Sequence, residues 1–195
     1  KTAYEIYQCD WSSDVCSSDL SVSHRDLTLT SADGTEFAAF LAEPDVANGI
    51  GIVVLPDVRG LYHFYEELAL RFAERGYTAI VFDFFGRLAG ASKRDDDFPY
   101  MELYPKIRAQ HVRDDVAASV EVLRGIDGAT DRGLFTVGFC FGGRHSWLAA
   151  AGGHDVTGAI GFYGFPAERF DELGPTELAG TLAAPLLALQ AGVDE

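Results

Sequence analysis

Apolar positions in this chain come in two periods. Residues 25–30 alternate (Leu27, Leu29), Asp33-Gly34 is a turn signal, and residues 36–42 resume the extended pattern, which predicts a hairpin of two antiparallel strands. After a loop at 44–48, residues 49–55 form a continuous β-branched run, the pattern of a strand buried on both faces. Residues 65–75 change to helical spacing (Leu68 and Phe72, with Leu70 and Ala73 beside them), and Gly76 is placed as the C-cap. Residues 77–82 predict a second buried strand ended by Asp83. Residues 86–99 read as a polar loop whose charge run, 93–97, is expected on the solvated surface. Residues 102–124 predict one long amphipathic helix (Ile107, Val112, Val116, Val120, Leu123). Strands are then expected at 133–137, 156–163 and 185–190, with an alanine-rich helix at 143–152. No internal repeat or low-complexity segment interrupts the series.

Strands alternating with helices predict an α/β domain. Its sheet should be mostly parallel, covered by helices on both faces, with the hairpin at one edge. In such sheets chemistry gathers at the carboxyl ends of the strands, and Asp57, Cys140 and Asp194 are all placed there.

The sharpest local signal is Thr136-Val137-Gly138-Phe139-Cys140-Phe141-Gly142-Gly143. An apolar strand running into Gly-x-Cys-x-Gly-Gly and then a helix has the form of a nucleophile elbow, a tight turn with the reactive side chain at its apex. Side chains at Gly138 and Gly142 would collide with the adjoining strand and helix. The helix beginning near Phe141 would aim its free N–H groups at the apex, which lowers a thiol pKa and can hold an oxyanion.

Composition changes this picture at the N-terminus. The 195 residues are 48% hydrophobic, enough for one domain with a sizeable core, and carry a formal net charge of −15. Such a charge argues against nucleic acid or an anionic membrane as partner. No apolar run is long enough to span a bilayer. Residues 10–20, Asp-Trp-Ser-Ser-Asp-Val-Cys-Ser-Ser-Asp-Leu, resemble the translation of a short-read library adaptor, so residues 1–20 are read as non-native and residues 21–195 as the domain. Excluding them removes Cys9 and Cys16 and leaves Cys140 as the sole cysteine. That excludes a disulfide framework and a thiolate zinc cluster and makes a cytoplasmic location the expectation.

Four motifs in order carry a resemblance: Leu55-Pro56-Asp57-Val58-Arg59-Gly60, Gly138-Phe139-Cys140-Phe141-Gly142-Gly143, Gly161-Phe162-Tyr163-Gly164 and Gln190-Ala191-Gly192-Val193-Asp194. From about His24 to its last residue the chain resembles the dienelactone hydrolase family of α/β-hydrolases. The resemblance implies a Cys-His-Asp triad with Cys140 as nucleophile and Asp194 as the acid that orients the histidine. It implies an oxyanion hole from the backbone N–H groups of Phe141 and Val58. It also places a carboxylate beside the resting thiol, where this chain has Asp57 in place of the usual glutamate. The family's histidine follows the acid in chain order. None of His24, His63, His111, His145 and His154 does, so the domain is expected to be incomplete at its C-terminus, and these 195 residues alone inactive and poorly stable. His145 is expected to face away from the apex or into packing, His24 to precede the fold, and His63 to open a helix near the site. Tyr163 is a candidate to line the site, and Arg87 and Arg94 are left unassigned as carboxylate binders.

The implied activity is hydrolysis of a small carboxylic ester or lactone through a cysteinyl acyl-enzyme. No cofactor or metal is expected, and a monomer or weak oligomer is. Two other readings remain open: a non-catalytic α/β-hydrolase-like module that binds a small ligand, and a redox or glyoxalase-like α/β protein.

Overall fold

The computed structural model describes residues 21–192. A seven-stranded sheet forms its centre: β1 (Val22–Thr30), β2 (Glu36–Pro44), β3 (Ile50–Leu55), β4 (Thr78–Phe82), β5 (Gly133–Phe139), β6 (Gly158–Phe162) and β7 (Leu186–Leu189), in the spatial order β1-β2-β4-β3-β5-β6-β7. The β1–β2 hairpin is antiparallel and joins β4 antiparallel, and every pair from β4 to β7 is parallel. The helices are α1 (His63–Ala73), α2 (Gly86–Ala89), α3 (Tyr100–Leu103), α4 (Ala109–Arg124) and α5 (Phe141–Ala149).

The continuous apolar runs are explained by burial on two sides. Val53 and Leu55 of β3, Ile80 and Phe82 of β4 and Leu41 of β2 pack beneath α4, whereas Ile52, Val54, Val81 and Phe40 pack beneath α1. α1 meets the sheet through Tyr65, Ala69 and Ala73, one apolar stripe whose alanines permit close approach. α4 buries Val112, Val116, Val120 and Leu123. At about 1.5–3 kcal/mol each, an upper estimate, their burial outweighs the few tenths of a kcal/mol by which valine disfavours a helix.

Three expectations are corrected. The helix predicted over 102–124 is broken. Pro105 sits in a 3₁₀ turn (Tyr104–Lys106), and Ile107 (ψ 136°) and Arg108 (ψ 143°) are extended before α4 begins. A proline has no N–H for the carbonyl four residues back and its ring clashes there, so the continuous helix is lost although its apolar period runs on. The charge run is not wholly solvated, since Arg94 is only 7% exposed and bonds Asp83 through Nε (3.2 Å) and Nη2 (2.8 Å). His24 does not precede the fold: it lies in β1 and stacks on Phe40.

Candidate active site

β5 delivers the chain to Cys140, and α5 leaves from it. Cys140 has φ 54° and ψ −113°, a left-handed backbone that few non-glycine residues adopt. Two bonds hold it. Its N–H donates to the Phe162 carbonyl of β6 (2.9 Å), and its carbonyl accepts from the Arg144 N–H one turn into α5 (3.2 Å). The flanking glycines are sterically required. A Cβ on Gly138 would lie 2.0 Å from the Gly142 carbonyl oxygen, and one on Gly142 would lie 2.1 Å from that of Leu55.

The half-buried Cys140 opens on a cavity of about 440 Å³ that Val58, Phe141, His145 and Tyr163 also line. The structure thus brings the proposed nucleophile and both proposed oxyanion donors to one space. Asp194 lies outside the described residues.

The loop that carries Val58 is anchored at both ends. The Asp57 N–H donates to the Tyr65 hydroxyl (2.9 Å), and the Asp57 carboxylate accepts from the N–H and guanidinium of Arg59. The buried Asp83 at the end of β4 accepts from the Leu61 N–H (3.2 Å), the Phe85 N–H (2.8 Å) and Arg94. The Arg94 N–H in turn donates to the Leu61 carbonyl (2.7 Å). Gly60 has φ 78°, and a Cβ on it would meet Asp83 Oδ1 at 2.5 Å. Arg94 is therefore a strut for the loop. Arg87 is committed elsewhere, to Asp33, Ser31 and Asp115.

The arginines that do line the cavity are Arg144 and Arg169. The wall opposite the elbow is residues 165–173, where Arg169 and Glu172 exchange backbone bonds of 3.1 Å around Phe170 (φ 55°) and Asp171 (φ 59°). Two consecutive positive φ values in a two-residue loop are the mark of a type I′ turn. Tyr104 and Ile107 reach the cavity from the break between α3 and α4. Neither this wall nor Arg144 was anticipated from the sequence. The available signal was an arginine inside the elbow helix, which is buried along most of its length.

His145 packs its ring on Phe141 (centroids 4.3 Å apart) and also faces the cavity. Burial, with help from the Arg144 charge, pushes it down to about 3, so it is neutral at pH 7. His63 is the first residue of α1, with its side chain exposed. Among the described residues no cluster of three or more His, Cys, Asp or Glu is arranged to hold a metal ion, and no helix is long and apolar enough to cross a membrane.

Comparison with known proteins agrees with this fold. The sequence profile described as the Dienelactone hydrolase family matches residues 37–195. A carboxymethylenebutenolidase of Rhodococcus opacus is 29% identical over 173 residues, covering 84% of this chain and 65% of that protein. One from Pseudomonas putida is 28% identical over 148 residues, covering 73% and 62%. A solved Klebsiella pneumoniae structure assigned to the dienelactone hydrolases superposes with a TM-score of 0.74 at 26% identity, covering 86% of this chain and 72% of that one. The chain spans about half to two-thirds of the length of curated relatives it matches.

Proposed function

Because the chain belongs to the dienelactone hydrolase family and has its α/β-hydrolase fold, we propose that it forms the nucleophile-bearing part of a carboxylic ester or lactone hydrolase acting through Cys140. The observation that carries this reading is the strained Cys140 at the start of α5, opening on the same cavity as Val58 and Phe141.

The chemistry follows from that placement. The first N–H groups of a helix have no partner within it, and the positive end of the helix dipole favours an anion. A thiolate at Cys140 is stabilised by both. Its sulfur attacks the acyl carbon, and the carbonyl oxygen becomes an oxyanion that accepts from the N–H groups of Phe141 and Val58. Collapse breaks the carbon–oxygen bond. The alcohol, or the opened end of a lactone, leaves with the proton that the thiol gave up, and water then cleaves the thioester to acid and thiol. Asp194 orients the base, which is the family's histidine following the acid in chain order. His145 is unsuited to that task although it faces the cavity, because an imidazole pushed down to about 3 is too weak to take a thiol proton. The Asp57 carboxylate is held by Arg59 and is not among the residues that line the cavity at Cys140, so its influence on the thiol is at most that of a partly neutralised carboxylate outside that space. The names of the relatives support a small ester or lactone as substrate.

The test is single-turnover acylation by p-nitrophenyl acetate, which asks for the nucleophile and the oxyanion donors and not for the base-dependent turnover that these residues alone are expected to lack, followed by mass spectrometry of the Cys140 peptide and release of p-nitrophenol. Acyl transfer is expected at Cys140 and is expected to vanish in Cys140→Ala. Unchanged nitrophenol release by Cys140→Ala sinks the assignment.

A further inference from the structure

Arg144 is 6% exposed, and its guanidinium is directed at main-chain carbonyls. Nη1 donates to Phe165 O (3.1 Å) and Ala167 O, and Nη2 donates to Glu172 O (3.0 Å) and Leu173 O (3.1 Å). These acceptors belong to both arms of the 165–173 wall, one pair before the turn and one pair after it. A planar fork of five N–H donors can tie two chain segments in this way, whereas an ammonium has three donors and no fixed plane. Two further contacts hold the wall at its far side. The Glu172 carboxylate accepts from the Ala109 N–H that opens α4 (3.0 and 3.1 Å), and the Phe170 ring meets Tyr104 edge-on at 5.9 Å. Burial of the guanidinium pulls its pKa below the usual value, and the charges of Glu172 and Glu177 oppose that.

The geometry has a consequence for specificity. Arg144 stands four residues after Cys140 on a regular helix, so the interval between the thiol and the tie point is fixed by helix geometry. Phe165, Pro166, Arg169, Phe170 and Glu172 all line the cavity from the tied segment. We propose that Arg144 is a positioning residue that suspends the 165–173 wall from the elbow helix and so sets the size of the ester group admitted to Cys140. The specificity part of this proposal rests on the reading of Cys140 as nucleophile, while the suspension of the wall does not.

The experiment compares wild type with Arg144→Lys and Arg144→Met, the lysine variant guarding against a methionine variant that fails to fold. Three quantities are read on each: hydrogen exchange of peptides covering 165–173 and β5, alkylation of Cys140 by iodoacetamide, and single-turnover acylation by p-nitrophenyl acetate and p-nitrophenyl octanoate. Loss of a charged tie is expected to speed exchange in 165–173 by roughly tenfold or more, with β5 unchanged. Iodoacetamide, being small, is expected to react at a rate within about twofold of wild type, while acetate-over-octanoate selectivity shifts by roughly tenfold, carried by ester affinity more than by the acylation rate. The lysine variant is expected to lie between the two. A folded variant whose 165–173 exchange and ester selectivity both match wild type overturns the proposal. If wild-type Cys140 is not acylated at all, the nucleophile reading fails, and the exchange result alone decides whether Arg144 suspends the wall.

Discussion

Gly142→Ala tests the elbow at its tightest point. The added Cβ would lie 2.1 Å from Leu55 O and 2.3 Å from Pro56 O, where an ordinary contact is at least 3.4 Å, so more than an ångström must be found. Neither obstacle is a side chain that can turn away. Both are backbone oxygens at the end of β3, beside the loop that carries Val58. Relief therefore requires α5 to shift off the sheet. Overpacking of this kind costs about 1–3 kcal/mol where side chains can adjust, and a rigid obstacle puts the change at the upper end, about 3 kcal/mol or more. For a domain of this size that corresponds to a fall in Tm of roughly 6–12 °C. Thermal unfolding followed by circular dichroism measures it, with Gly180→Ala as control, because a Cβ there meets nothing within 4 Å. The shift should also move Cys140, so its alkylation rate should change in Gly142→Ala and not in the control. A Gly142→Ala protein that melts within a degree or two of wild type would show that the helix does not sit against β3 as described.

Two further perturbations address buried charge. Asp83→Ala strands the buried Arg94 guanidinium and should destabilise the protein by about 3–5 kcal/mol in urea unfolding, while adding Arg94→Met should recover a large part of the loss; equal effects from the single and double variants would refute the coupling. His145 has a pKa of about 3 when folded against about 6.5 unfolded, so the unfolded chain binds more protons below pH 6.5, and stability present at pH 7 is lost as pH falls. Between pH 7 and pH 5 its share is about 2 kcal/mol, so the pH 7-to-5 difference in unfolding free energy should shrink by about that amount in His145→Gln, and an undiminished difference would contradict a buried neutral imidazole.

The elbow was legible in the sequence because its requirement is local and steric: only glycine fits where a Cβ would strike backbone, and the spacing of Gly138, Gly142 and Gly143 around Cys140 displays that requirement directly. The strands were legible because burial on two faces removes polar residues from both phases of the extended period. Arg94 was not, because its burial depends on Asp83, a partner supplied by a different element, and a charge run looks the same whether or not one member turns inward. The break before α4 was masked by Ile107, which continues the apolar period of the helix and is buried although its backbone is extended. Pro105 was the contrary signal. The 165–173 wall had no periodicity to read, since it is tied to the helices chiefly by a guanidinium and a carboxylate bonded to main chain, with one ring contact beside them.

The turn at Phe170 and Asp171 has a practical consequence. Type I′ turns favour Asn-Gly, and a bulky residue in the left-handed region costs of the order of 1 kcal/mol, so this rim of the cavity carries a conformational load that its own sequence could relieve. A substitution such as Asp171→Gly would relieve part of that load without entering the elbow. If the wall has the proposed role, this rim is therefore a place where redesign of the cavity need not weaken the fold.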